Sequence, residues 1–259
     1  MSQAIHSEHH SEHETSPWPM VVGCGILLSA LSLLTAFAWE MPMLGIILGG
    51  ATLAIFAVGL AGWAREFYTE GEEEGLGPIA VAAFIVSEVM IFGTVFAAFW
   101  VGRIEHLDEW SSYIPEGMHI SFAIWLTLIL WASSITILVS ERAFHAGNKS
   151  RALLWLAITF GLGTLFVVLH MNEWANLVEE GFTPGVNIYA TSFFGLTGVH
   201  TSHVLVGLFI HAVLFYVIYS GLMSKGRTTL FTGAALYWHF VDIMWLLVAG
   251  NAYLIGSTV

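Results

Sequence analysis

Ionisable residues recur inside long apolar runs of this chain, several of them three positions apart. Glu88 stands midway in Ile85-Val86-Ser87-Glu88-Val89-Met90, far from the polar breaks that bound its run. His200 and His203 share a later run with His211, and His239 and Asp242 share the next. His170 and Glu173 close another run near its end. On a helix, residues three apart lie on one face. His200/His203 and His239/Asp242 therefore form two polar stripes that neighbouring helices can turn inward, with Glu88 opposite. His211 continues nearly the same stripe as His200, about 16 Å further along the axis. Three chemistries are open to such groups: hydrogen bonding between helices, proton or lipid handling, and metal binding. Ionisable groups at membrane depth are costly and so are functional candidates by default. A carboxyl at Glu88 either stays protonated or is held by a histidine such as His203.

The elements that carry these residues follow from composition. The chain is 57% hydrophobic and 10% charged, with a mean hydropathy of +0.77, where soluble domains average roughly 25% charged. A bilayer hides that apolar surface and a soluble fold does not. Seven runs reach the roughly 20 residues a spanning helix needs: Met20–Ala38, Met43–Gly62, Ile79–Val101, Met118–Ser140, Ala152–Leu169, Ser192–Ser220 and Phe231–Ile255. Pro17, Pro19, Pro42, Pro78, Pro115 and Pro184 fall at or outside the ends of these runs, as residues that disrupt helix interiors do. Arg65, Arg142, Lys149, Arg151, Lys225 and Arg227 fall in loops of one side, and only Arg103 in a loop of the other. Cations favour the inner side, so the N-terminus is expected inside and the C-terminus outside. The fold expected is an all-α membrane protein of seven transmembrane helices, residues 20–259, preceded by a tail over residues 1–19.

That tail interleaves His6, His9, His10 and His13 with Glu8, Glu12 and Glu14 and lacks the basic region of a secretory signal. A solvated disordered tail or a metal-buffering one fits it. The acidic stretch from Glu70 to Glu74 reads as a solvated loop or an acidic docking patch. Trp18, Trp39, Trp63, Trp110 and Trp174 lie near span ends, where aromatic belts form. Gly161, Gly163, Gly45, Gly49 and Gly50 read as close helix contacts.

Several classes are tested by what is present. The single cysteine, Cys24, excludes an intramolecular disulfide framework and a cysteine-built metal cage. A net charge of −12 argues against nucleic acid as a partner. A retinal protein needs a lysine within a span, and both Lys149 and Lys225 stand in loops. A membrane di-iron hydroxylase needs several histidine boxes, and the chain has one His-x-x-His. A b-type cytochrome needs paired axial histidines, which His200 or His203 could form with His239. A proton or solute transporter usually shows broken helices or repeats, and neither is visible, though it stays open as an alternative.

The run Tyr237-Trp238-His239-Phe240-Val241-Asp242, followed by Ile243-Met244-Trp245-Leu246, resembles the last helix of subunit III of heme–copper cytochrome c oxidases. Phe84-Ile85-Val86-Ser87-Glu88 is similar to that family's third-helix motif with its intramembrane glutamate. Ser133-Ser134-Ile135-Thr136 resembles its fourth helix and Gly147-Asn148 the turn that follows. His170-Met171-Asn172-Glu173-Trp174 is similar to the end of its fifth helix, and Thr197-Gly198-Val199-His200-x-x-His203-Val204 to its sixth. The motifs occur in the family's order over about residues 20 to 257. The acidic segment after Trp63-Ala64-Arg65-Glu66 departs from the Gly-His-containing stretch the family usually has there.

The resemblance implies that the first two helices splay from a five-helix bundle and that phospholipids occupy the cleft. It implies that Glu88, His200, His203, His239, Asp242 and Glu173 form a buried polar network, with no catalytic residue and no metal in this chain. It implies lipid contacts at Trp63, Arg65, Glu66 and Arg227. Heme and copper would belong to subunits I and II, the partners in the complex, and cytochrome c would bind the complex rather than this chain. Relatives in quinol oxidases commonly have five helices, so seven favour the cytochrome c branch, with a quinol oxidase subunit III as the alternative. The expected location is the inner (plasma) membrane of a prokaryote or an equivalent respiratory membrane. The expected role is to sustain proton uptake and protect the oxygen site, with structural phospholipids bound.

Overall fold

The computed structural model describes residues 17–69, 77–223 and 229–257. Seven α-helices run through them: α1 Trp18–Leu33, α2 Pro42–Thr69, α3 Gly77–Glu105, α4 Ile120–His145, α5 Lys149–Glu179, α6 Ile188–Tyr219 and α7 Thr229–Ala249. All seven hold segments long and apolar enough to cross a membrane, and the described residues contain no strand. A helix satisfies every backbone group internally, which is what an apolar solvent demands of a spanning segment. Residues 1–16 and the Glu70–Glu74 stretch lie outside the described residues, while Trp18 and Pro19, expected to be the end of the tail, already belong to α1.

The helices outrun the hydropathic spans. The expected Ala152–Leu169 span lies inside an α5 that runs from Lys149 to Glu179. Helical hydrogen bonding continues past the hydrocarbon into water, where charged residues such as Lys149 and Glu179 are welcome. Pro19, Pro42 and Pro78 sit in the first turns of α1, α2 and α3, where the missing N–H would have had no intrahelical partner. Two helices finish in π-helical turns, Leu34–Ala38 after α1 and Gly250–Ile255 after α7.

The chain divides into two compact units, one built on α1 and α2 and the other on α3 to α7. In the first, the helices touch through small residues. A Cβ added at Gly45 would meet the Ala36 Cβ at 2.6 Å, and one at Gly49 the Ser32 Oγ at 3.2 Å. Ser32 Oγ donates to the Gly45 carbonyl at 2.7 Å. Gly50 faces open space, so two of the three glycines read as contacts are contacts.

In the second unit α6 and α7 occupy the centre. α7 packs on α3, α4 and α6, while α6 packs on α3, α5 and α7. The turn from α4 to α5 shows why Gly147-Asn148 belongs there. Gly147 takes φ +77°, the left-handed conformation that glycine alone enters freely. The Asn148 side chain then caps α5 by accepting from the Arg151 N–H at 3.0 Å. A hydroxyl seam ties α7 to α4: Trp238 Nε1 donates to Ser133 Oγ at 2.9 Å and Trp245 Nε1 to Thr127 Oγ1 at 3.0 Å.

Trp110 departs from the interfacial position expected of it. It is 1% exposed, its ring against Tyr189 and Phe99 and beneath the Arg103 guanidinium. Its Nε1 donates to the Gly256 carbonyl at 2.7 Å. Packing on Tyr189 at the start of α6 takes the place of the lipid contact expected of it. Trp39, by contrast, is 59% exposed. Outside the spans, the hydrogen bond from Tyr113 to Glu109 raises the phenol above its usual range.

Candidate functional site

Glu88 on α3 and His203 on α6 meet across the second unit, with Glu88 Oε2 2.6 Å from His203 Nε2. The other ring nitrogen, Nδ1, lies 2.7 Å from the Val199 carbonyl one turn back on α6. A carbonyl only accepts, so Nδ1 carries a proton. The remaining contact then holds one proton between the carboxyl and Nε2, whichever of the two bears it. The pair is electrically neutral in both arrangements, which is how a carboxyl is carried at membrane depth. Tyr237 on α7 donates to the His203 backbone carbonyl at 3.2 Å, and Phe92 lies against the imidazole with ring centres 4.8 Å apart.

His200, one turn before His203, points elsewhere. Three residues turn a helix by about 300°, so the two rings stand some 60° apart and straddle the α6 face. His203 reaches α3, while His200 is fully buried between α5 and α7, its ring 4.9 Å from Trp245 and 5.7 Å from Phe166. Neither of its nitrogens meets a hydrogen-bond partner among the described residues. His170 packs on the same Trp245 and Phe166 rings. Its Nδ1 stands 3.3 Å from Glu173 Oε2, and that oxygen accepts the Tyr253 hydroxyl at 2.5 Å.

His239 on α7 contacts Ser134 Oγ on α4 through Nδ1 at 3.0 Å. Asp242, 4% exposed, has no hydrogen-bond partner for either oxygen among the described residues, and neither has His239 Nε2. His211 lies against Trp238 with ring centres 4.5 Å apart.

The six residues expected to form one polar network are thus distributed over separate contacts. Glu88 joins His203, Glu173 joins Tyr253 and His170, and His239 joins Ser134. His200 and Asp242 bond to none of them. Trp63, Arg65 and Glu66 belong to α2, but their side chains lie outside the described set, as does all of Arg227. Partners that sequence inspection did not single out are Thr127, Thr159 and Tyr253. Thr159 Oγ1 lies 2.8 Å from Thr136 Oγ1, joining α5 to α4. Hydroxyl residues one turn from an aromatic in a span were the available signal. Among the described residues no group of three or more His, Cys, Asp or Glu side chains converges as metal ligands would.

The model of the family described as cytochrome c oxidase subunit III matches residues 7–257. The cytochrome c oxidase subunit 3 of Anopheles gambiae is 32% identical over 266 residues, covering 96% of this chain and 99% of its own length. That of Dugong dugon is 30% identical over 263 residues, with 96% and 98% covered. The cytochrome bo(3) ubiquinol oxidase subunit 3 of Pseudomonas aeruginosa is 32% identical over 174 residues, covering 67% of this chain and 82% of its own length. Seven helices able to span a membrane, the ordered motifs on α3 to α7 and these similarities agree: the chain belongs to the cytochrome c oxidase subunit III family of the heme–copper oxidases, as an integral multi-pass membrane protein.

Proposed function

We propose that this chain is the non-redox subunit III of a proton-pumping terminal oxidase that takes electrons from cytochrome c and reduces oxygen to water. The observation that carries the choice of donor is the α1–α2 unit. Relatives named cytochrome c oxidase subunit 3 align over 96% of the chain, whereas the ubiquinol oxidase relative covers 67% of it. The test is donor choice by the purified complex. Rapid oxygen consumption with reduced cytochrome c, and little with a ubiquinol analogue, is the expected result. The reverse order would move the chain to the quinol branch.

In this reading the chain partners subunits I and II in the inner membrane of a prokaryote or an equivalent respiratory membrane. It supports proton uptake and the stability of subunit I, while heme and copper stay in the partners. Two features support a chain without its own redox centre. The described residues offer no converging set of three ligands, and the space beside His200 is filled by Phe166 and Trp245. The isolated polypeptide is therefore expected to show no Soret band and no stoichiometric copper or iron. A Soret band retained on the separated subunit would favour a b-type cytochrome.

Phospholipid binding at the Trp63–Arg65 end of α2 is part of the same proposal. An arginine fork suits a phosphate, and a tryptophan suits the glycerol region. Arg65→Ala is expected to lower the phospholipid that co-purifies with the complex, measured by mass spectrometry of extracted lipid. Unchanged amount and headgroup type would remove Arg65 from the assignment.

A further inference from the structure

A cavity of about 740 Å3 lies between the α4–α5 turn and the end of α6. Its walls are apolar at Phe144, Ile218 and Met223 and basic at His145 and Lys149. Phe144 is held in the apolar wall by stacking on Phe231, ring centres 5.3 Å apart. Two left-handed glycines shape the space. Gly147 turns α4 into α5 at φ +77°, and Gly221 turns the chain away from α6 at φ +73°. A Cβ at either would meet nothing within 4 Å, so neither turn closes the cavity.

Lys149 is fixed at this wall, since its Nζ donates to the Tyr219 carbonyl at the end of α6 at 2.9 Å. An ammonium has three donors, and that bond uses one. Arg142 and Arg151 are exposed close by in sequence, so three of the chain's seven lysines and arginines stand within residues 142–151, where no acid does. The depth is that of headgroups: Lys149 begins one membrane-spanning segment and Tyr219 ends another. Tyr216 and Tyr219, both exposed, are the amphipathic aromatics that favour this level. A free phosphate would use the cation and leave the apolar wall idle, whereas a phosphate carried on acyl chains uses both. We propose that this cavity binds the phosphate headgroup of an anionic phospholipid, with Lys149 as its fixed cation. Its residues all belong to the second unit, whereas Trp63 and Arg65 belong to the first.

The test uses the purified complex in phosphatidylcholine bilayers that hold a minor share of photoreactive lipid, with a diazirine near the glycerol end of one acyl chain. Two probes are compared at equal share, phosphatidylglycerol and phosphatidylcholine. On irradiation, phosphatidylglycerol is expected to label peptides containing Phe144 or Met223 about fivefold more than phosphatidylcholine does. Lys149→Gln is expected to bring the two probes level while the amount of assembled complex is unchanged, and Lys149→Arg to keep the preference. Soluble glycerol phosphate in excess is expected to leave the labelling as it was. Equal labelling of the wild type by both probes, or none at these peptides, overturns the proposal without recourse to any variant. A preference that survives Lys149→Gln overturns it too. Displacement by glycerol phosphate would make the cavity a site for a free phosphate ester and overturn the lipid assignment.

Discussion

Gly207→Ala is expected to destabilise the five-helix unit, while the same change at Gly161 is expected to stabilise it slightly. A methyl at Gly207 would stand 2.6 Å from Cε3 and Cζ3 of Trp238, and one at Gly163 2.8 Å from Cη2 of the same indole. Trp238 is fully buried, lies between these two glycines of α6 and α5, and is tied to Ser133 on α4. An indole held by three helices cannot retreat, so added volume costs about 1–3 kcal/mol. That outweighs the roughly 0.5–1 kcal/mol that alanine gains over glycine in a helix. Nothing lies within 4 Å of the Gly161 position, so there the gain stands alone. Trp238→Ala removes the wedge itself and is expected to cost about 3–5 kcal/mol. Unfolding of bilayer-reconstituted protein by a denaturing detergent measures all three. Equal effects at Gly161 and Gly207 would show that the contact is not tight.

Glu88 tests the second large effect. Because Nδ1 of His203 is committed to the Val199 carbonyl, a glutamine at 88 can donate its amide N–H to Nε2. Glu88→Gln is therefore expected to stay within about 1 kcal/mol of wild type, close to the roughly 0.6 kcal/mol typical of hydrogen bonds between helices in bilayers. Glu88→Ala strands the imidazole nitrogen and is expected to cost about 1–3 kcal/mol. On the proposal that the metal centres lie in partner subunits, the assembled Glu88→Gln oxidase is expected to turn over and pump at near wild-type rates. A large loss of pumping in a fully assembled variant would make Glu88 a proton relay. A hydrophobic carbodiimide concentrates in the bilayer and is attacked at its central carbon by a carboxyl oxygen, so it is expected to label Glu88 in its span ahead of loop acids such as Glu116.

Hydropathy alone located all seven helices, because a span is a composition of about 20 residues and little else matches it. It missed how far α5 extends, since helices do not stop where lipid does. The polar residues were legible one helix at a time. Spacing placed His200 and His203 together but left open that they straddle the α6 face, one toward Glu88 and the other toward Trp245. The single network that the family resemblance implied is instead several contacts, because distance between helices is not written in periodicity. Gly163 and Gly161 carry the same signal in sequence, and only the position of Trp238 tells them apart.

The contacts around residues 252–256 bear on how the protein is made. Trp110 donates to the Gly256 carbonyl, Tyr189 to that of Ala252 at 2.9 Å, and Tyr253 to Glu173. Each joins a segment synthesised early to one synthesised after all seven helices. Trp110 must wait for a partner 146 residues away. Until residues 252–256 are made, the Trp110 indole N–H and the Tyr189 hydroxyl lack these partners, and Glu173 has only its contact with His170. A product shortened there would lose these three ties together with the last turns of the Leu230–Ile255 span, and is expected to be cut faster by membrane proteases than the chain that keeps them.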